Sequence, residues 1–295
     1  MDENGGNPHH SGNAEPPREV RLYDDLTVSF HEAGRGLPIV FIPGWTMTGR
    51  MFSKNLHALS REYRVIAFDP RSHGRSTATA TDNNYYQHGR DLAELLDALA
   101  IEECILIGWS MGGITAYSYL EQYGTRRVRG LVSVDVCPKP VRTRQDEWGI
   151  GPLEQVRRIQ ASVTSPDQSA FIRRYAGNDY LTAPAGADFV DFIASESMNT
   201  PATTAALLLA DGNLCDYTEV ASEADRQVPI LHVVSEKAET PAADWLTRNM
   251  PNSNMRALGA HMMFWEFPDE FNQCVTEFVR GISTAAGQSL WQSAD

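Results

Sequence analysis

Gly108-Trp109-Ser110-Met111-Gly112 fits the pattern G-x-S-x-G, which sets a serine hydroxyl on a tight turn between a strand and a helix. Small residues beside it let chain and reactant approach the hydroxyl closely, and the chemistry this serves is nucleophilic attack on a carbonyl. The pattern also arises as a merely structural turn, so its surroundings must decide. Residues 104–108 form an apolar strand directly before it, and a helical stretch follows it through Tyr123, where Gly124 closes the helix. That context favours Ser110 as a nucleophile.

A serine hydroxyl is a weak nucleophile at neutral pH and needs a base within hydrogen-bond reach, most often imidazole. Of the 8 histidines, His9 and His10 fall in a polar lead-in, His31 and His57 on a strand and a helix, and His232 inside an apolar strand. His73, His88 and His261 remain at loops or element ends. His261 stands in Leu258-Gly259-Ala260-His261-Met262, after the last short strand and before the last helix, in the order and position expected of the base. A structural histidine there is the alternative.

The elements that must carry these groups are short apolar runs alternating with helical periodicity. Strands are expected at 20–23, 26–30, 38–42, 64–68, 104–108, 130–134, 229–234 and 254–258. The run 38–42 is apolar throughout before Pro43-Gly44-Trp45, as in a strand buried on both faces of a parallel sheet. A helix at 85–99 gathers Leu92, Leu95, Leu96 and Leu99 on one face, and others are expected near 242–248 and 269–282. Between 139 and 227 strand signals give way to helix-like segments at 153–161, 168–175 and 203–210. The expected fold is therefore α/β, a doubly wound, mostly parallel eight-stranded sheet with an inserted helical cap. Its parts are a core at 20–138 and 228–285, the cap at 139–227, and tails at 1–19 and 286–295.

Composition excludes several functions. At 295 residues and 42% hydrophobic, the chain suffices for one packed domain with an insertion. A net charge of -13 argues against nucleic acid as a partner, because phosphate contacts draw on clustered Lys and Arg. No run is long and apolar enough to span a membrane, and the first 18 residues lack the apolar segment of a secretory signal. Cys104, Cys137, Cys215 and Cys274 form no CxxC pair, so neither a zinc site nor a disulfide framework is indicated, and reduced thiols in a cytoplasmic protein are expected. Trp148, Phe171, Tyr175, Tyr180, Phe189, Phe192 and Met198 make the cap apolar, which suits a small-molecule substrate as partner. Oligomeric state is not readable.

Over residues 20–282 the sequence resembles the α/β-hydrolase family. The likeness rests on Pro43-Gly44-Trp45, on Asp69-Pro70-Arg71-Ser72-His73-Gly74-Arg75-Ser76, on the serine elbow and on Gly259-Ala260-His261. It implies that His73 belongs to the scaffold, that no cofactor is needed, and that the oxyanion of an attacked carbonyl is held by the backbone N–H groups of Met111 and Trp45. Where relatives often carry His-Gly before that second amide, this chain has Pro43-Gly44.

A carboxylate should orient the base. Its usual place in the family falls here on Ala238, with Glu236 and Glu239 flanking it; the other place this fold supplies an acid is the end of the preceding core strand, where Asp135 stands. Asp135 is favoured, with Glu239 and Glu236 as alternatives and a bracing role at the cap entry as the plain reading. The implied activity is hydrolysis of an ester, lactone or related acyl bond. Pro43-Gly44-Trp45, the elbow and Asp135 also resemble the cofactor-free quinolone dioxygenases, but those carry a second histidine where this chain has Met47. A binding-only role is the non-enzymatic alternative.

Overall fold

The computed structural model describes residues 16–23, 25–144, 147–164 and 168–292. The lead-in up to residue 15, with His9 and His10, lies outside them.

Eight strands form one sheet: β1 (Arg18–Tyr23), β2 (Leu26–Ala33), β3 (Pro38–Ile42), β4 (Arg64–Phe68), β5 (Cys104–Trp109), β6 (Val128–Val134), β7 (Ile230–Val234) and β8 (Asn254–Ala257). Their order is β1-β2-β4-β3-β5-β6-β7-β8. β2 pairs antiparallel with β1 and β4, and every other pairing is parallel. β5 lies centrally and is buried at every position, as its apolar run requires.

The helices of the core are α1 (Ser53–Leu59), α2 (Tyr85–Ala98) and α3 (Met111–Tyr123), followed beyond the cap by α9 (Glu239–Asn249), α10 (Met263–Glu266) and α11 (Pro268–Gln292). α2 begins where the Asn84 side chain accepts from the Gln87 N–H at 2.8 Å, and α3 ends at Gly124, whose φ of 67° suits glycine. α1 packs with α11, and α2 packs with α3, the arrangement of a sheet covered on both faces. α11 continues past Ile282 to Gln292.

Between β6 and β7 the chain leaves the sheet for α4 (Leu153–Val163), α5 (Gln168–Asn178), α6 (Ala187–Ser197), α7 (Ala202–Leu214) and α8 (Thr218–Gln227), which form the cap. α8 is its return leg and lies against α3 and α9. Because β3, β5, β6, β7 and β8 are parallel, the turns leaving them gather on one edge of the sheet. Ligands of open α/β sheets bind in the crevice at that edge.

Candidate active site

Ser110 follows β5 with φ 52° and ψ −128°, a backbone conformation that L-residues seldom adopt. The turn is fixed at both ends, by the Ser110 N–H on the Val134 carbonyl (2.8 Å) and the Gly113 N–H on the Ser110 carbonyl (2.8 Å). The glycines of the motif are steric requirements: a Cβ on Gly112 would lie 2.2 Å from the Ile42 carbonyl oxygen, and one on Gly108 would lie 2.6 Å from Gly113 Cα. The half-buried Ser110 side chain thus stands at the start of α3, on the edge where the parallel strands end.

The adjacent strand brings a carboxylate to the same edge. Val134 pairs with Trp109, so the residue after it, Asp135, emerges beside the serine turn, also at a left-handed φ of 47°. Its Oδ2 lies 2.7 Å from His261 Nδ1, and its Oδ1 accepts from the Ser235 N–H at 2.9 Å. Burial alone raises the Asp135 pKa and is the largest influence on it. The hydrogen bond of His261, its charge when it is protonated, and the bond from Ser235 outweigh burial and hold the carboxyl below its ordinary value. Glu236 and Glu239 are exposed, and neither lines the cavity that Ser110, Asp135 and His261 share.

His261 is reached through a loop pinned to β7. The Leu258 N–H donates to the Val234 carbonyl (2.9 Å) and the Glu236 N–H to the Gly259 carbonyl (3.0 Å). Three further contacts were not readable from the sequence. The Trp109 indole N–H donates to the His261 carbonyl at 2.8 Å, the Met262 N–H donates to the Tyr180 carbonyl at 2.8 Å, and the rings of Trp109, Tyr180 and Tyr175 surround the imidazole at 5.4, 5.5 and 6.2 Å between centroids. Both tyrosine phenols are pushed up by burial and stay protonated donors at neutral pH. The other two candidate histidines do not line the cavity: His73 is buried, bonded through Nδ1 to the Arg71 carbonyl (2.7 Å) and packed against His88, which is buried in α2.

The cavity has a volume of about 480 Å³. Trp45, Trp148, Phe171, Ile159 and Leu209 give it an apolar wall, as the composition of the cap led one to expect. Trp45 and Met111, the two residues expected to offer oxyanion amides, both line it. Neither backbone N–H makes a hydrogen bond to another described residue. Asn213 also lines the cavity; it is fully buried, and both its amide atoms lack a partner among the described residues.

Residues 38–201 match the family described as alpha/beta hydrolase fold. The chain belongs to the α/β-hydrolase fold family. It is 27% identical to a non-heme chloroperoxidase of Streptomyces lividans over 83% of this chain and 92% of that one. It is likewise 27% identical to a pimeloyl-[acyl-carrier protein] methyl ester esterase of Aeromonas hydrophila, over 86% of this chain and all of that one (100%). Among solved structures, a bromoperoxidase from Bacillus anthracis superposes with a TM-score of 0.81 at 21% identity, covering 90% of this chain and 100% of that one, a likeness of fold. In this α/β-hydrolase, then, the sheet edge carrying Ser110, Asp135 and His261 is the edge where the fold places its sites.

Proposed function

We propose that this α/β-hydrolase cleaves an ester, lactone or related acyl bond of a small, largely apolar molecule through an acyl-enzyme on Ser110. The observation that carries the reading is the 2.7 Å contact between His261 Nδ1 and Asp135, in a cavity that Ser110 shares. With Nδ1 engaged by the carboxylate, the imidazole presents its unprotonated Nε2 as the base. Ser110 Oγ attacks the carbonyl carbon and His261 takes the hydroxyl proton. The oxyanion accepts from the Trp45 and Met111 N–H groups. Collapse expels the leaving alkoxide, which receives the proton from His261. Water then repeats the sequence on the acyl-enzyme, releasing the acid and restoring Ser110.

The chloroperoxidase likeness supports a variation on the same site: hydrogen peroxide in place of water at the second step would release a peracid from the same acyl-enzyme. The dioxygenase alternative loses ground at Met47, which is buried and does not line the cavity, so the second polar group of that chemistry has no counterpart there.

The test is p-nitrophenyl ester turnover by the wild type, Ser110→Ala, Asp135→Asn and Glu239→Gln, under air and under nitrogen. Expected are oxygen-independent activity, its loss in Ser110→Ala, a fall in kcat on the order of 10³–10⁴ in Asp135→Asn, and little change in Glu239→Gln. Turnover surviving in Ser110→Ala, or requiring oxygen, overturns the reading; collapse in Glu239→Gln alone moves the acid to Glu239.

A further inference from the structure

Beyond the groups that react, the loop after β3 presents a question of support. It carries the Trp45 amide, and it is not an element of the sheet. Two short backbone bonds run within it, from the Met47 N–H to the Gly44 carbonyl (3.0 Å) and from the Met51 N–H to the Thr48 carbonyl (3.2 Å). Thr46 sits at φ 59°, where a β-branched residue is an outlier, and a strained conformation of this kind persists only where its surroundings impose it.

The surroundings impose it from two sides. The core contributes Asp69, just after β4, whose Oδ1 accepts from the Gly49 N–H at 2.9 Å. The remaining ties come from the cap. The Thr46 hydroxyl donates to the Trp45 carbonyl (2.7 Å), which spends its single proton, so in its 2.7 Å contact with Ser197 Oγ the Ser197 hydroxyl is the donor. Thr48 Oγ1 donates to Glu196 Oε2 at 2.5 Å, and the guanidinium of Arg50 pairs with the other oxygen of the same carboxylate. The Trp45 indole N–H donates to the Ala205 carbonyl of α7 at 2.7 Å.

Glu196 and Ser197 close α6 and are both buried, at 4% and 0% exposure. A carboxylate in such a place is costly to desolvate without partners, and among the described residues the side-chain partners of Glu196 are Thr48 and Arg50 of this loop. Each buried polar group on one side is satisfied by the other, so loop and helix end have a single mutual fit.

We infer that Glu196 and Ser197 are positioning residues for the oxyanion site: the cap, besides walling the pocket, sets the Trp45 amide through Thr46 and Thr48. This rests on the hydrolase reading above. A hydrogen-bond donor aimed at developing charge matters in the transition state and little in the ground state, so loosening this tie lowers kcat and spares KM. The whole of such a donor is worth about 10²–10³ in rate, and misaiming it costs on the order of 10–100-fold.

The experiment compares wild type, Glu196→Ala, Ser197→Ala, Thr46→Val and Thr46→Ser on one p-nitrophenyl ester. Two inhibitors of the same chain length are titrated in parallel: a trifluoromethyl ketone, whose adduct with Ser110 places an oxyanion in the hole, and the methyl ketone, which binds without forming one. Glu196→Ala and Thr46→Val are expected to lower kcat 10–100-fold with KM within about threefold, and to weaken the trifluoromethyl ketone by the same factor while leaving the methyl ketone unchanged. Ser197→Ala acts in the same direction and less, since the bond from Thr46 to Trp45 remains, and Thr46→Ser, which keeps the hydroxyl, recovers activity relative to Thr46→Val. If Glu196→Ala does not fold, Thr46→Val carries the test, being close to isosteric. Folded variants with unaltered kcat and unaltered trifluoromethyl ketone affinity overturn the positioning role, as does an equal loss for both ketones, which marks general loosening of the pocket. An inactive wild type, or an active Ser110→Ala, overturns the hydrolase reading and the inference with it.

Discussion

At the scale of single residues, the site divides by how local its signals are. Ser110 was legible because its turn, its glycines and its flanking strand and helix are contiguous in sequence. His261 was legible from chain order. Asp135 was harder: its partnership depends on β6 lying beside β5 and on the loop after β8 reaching back across β7, and neither is encoded near residue 135. Ala238, where the family's acid is usual, left Glu236 and Glu239 as neighbours, and only their exposure in the fold separates them from Asp135. Asn213 was not legible at all, since an asparagine late in a helix reads as solvated. Its buried amide lines the cavity and is unpartnered among the described residues, which predicts a stability effect as well as any role toward a bound molecule. Replacing an unsatisfied polar side chain by an apolar one of similar volume is expected to stabilise by about 1–3 kcal/mol. Asn213→Leu should therefore raise Tm by a few degrees in calorimetry; a lower Tm would mean that the amide is hydrogen-bonded in solution and that its burial is not a cost.

At the scale of elements, all eight expected strands form, because buried parallel strands announce themselves as unbroken apolar runs between turn residues. The cap was legible as helical but not helix by helix. α8 (TEVASEADRQ) buries only Ala221, Ala224 and Asp225, with no large apolar side chain among them to mark a core-facing stripe. α6 follows a stretch rich in turn formers, 182–186, yet Phe189 and Ile193 give it a spacing that could have found it. Its closing Glu196 reads as a solvated charge in sequence and is buried in the fold. The junction of β3, the elbow and α3 carries the sharpest element-scale prediction. Gly112→Ala puts a Cβ 2.2 Å from the Ile42 carbonyl oxygen and 2.7 Å from that of Pro43, so strand and helix must separate. It should lose more than about 4 kcal/mol and express poorly. Gly44→Ala meets Ser110 Cβ at 3.1 Å and the Trp109 carbonyl oxygen at 3.3 Å, which crowds the Ser110 side chain with only small shifts of its neighbours, and should fold with reduced kcat/KM. Gly186→Ala, with nothing within 4 Å, serves as the steric control and should match the wild type in turnover.

At the scale of the whole molecule, the histidines left out of the site set its tolerance of acid. His232 lies inside β7 at 0% exposure, with neither ring nitrogen bonded to a described residue, and burial pushes its pKa down to about 3. Burial likewise lowers His73 to about 4, although its bond to the Arg71 carbonyl resists the shift, and lowers buried His88. In the unfolded chain each titrates near 6.5. Between that value and the lowered one, the unfolded state binds a proton that the folded state refuses, so stability falls as pH drops through this window and is unaffected above it. Each such histidine contributes up to about 1.4 kcal/mol per pH unit. Asp69 opposes the trend, since burial raises its pKa despite its bonds from Arg75 and Gly49. Urea unfolding at pH 7.5, 6.0 and 5.0 should therefore show a steep loss of stability below about pH 6.5, with His232→Leu reducing the slope by about 1.4 kcal/mol per pH unit. The slope is the readout, because it reports proton uptake and is indifferent to whether leucine packs better or worse against Trp148. An unchanged slope in His232→Leu would show that His232 is protonated in the folded state as readily as in the unfolded one, and hence that β7 opens to solvent in the native ensemble.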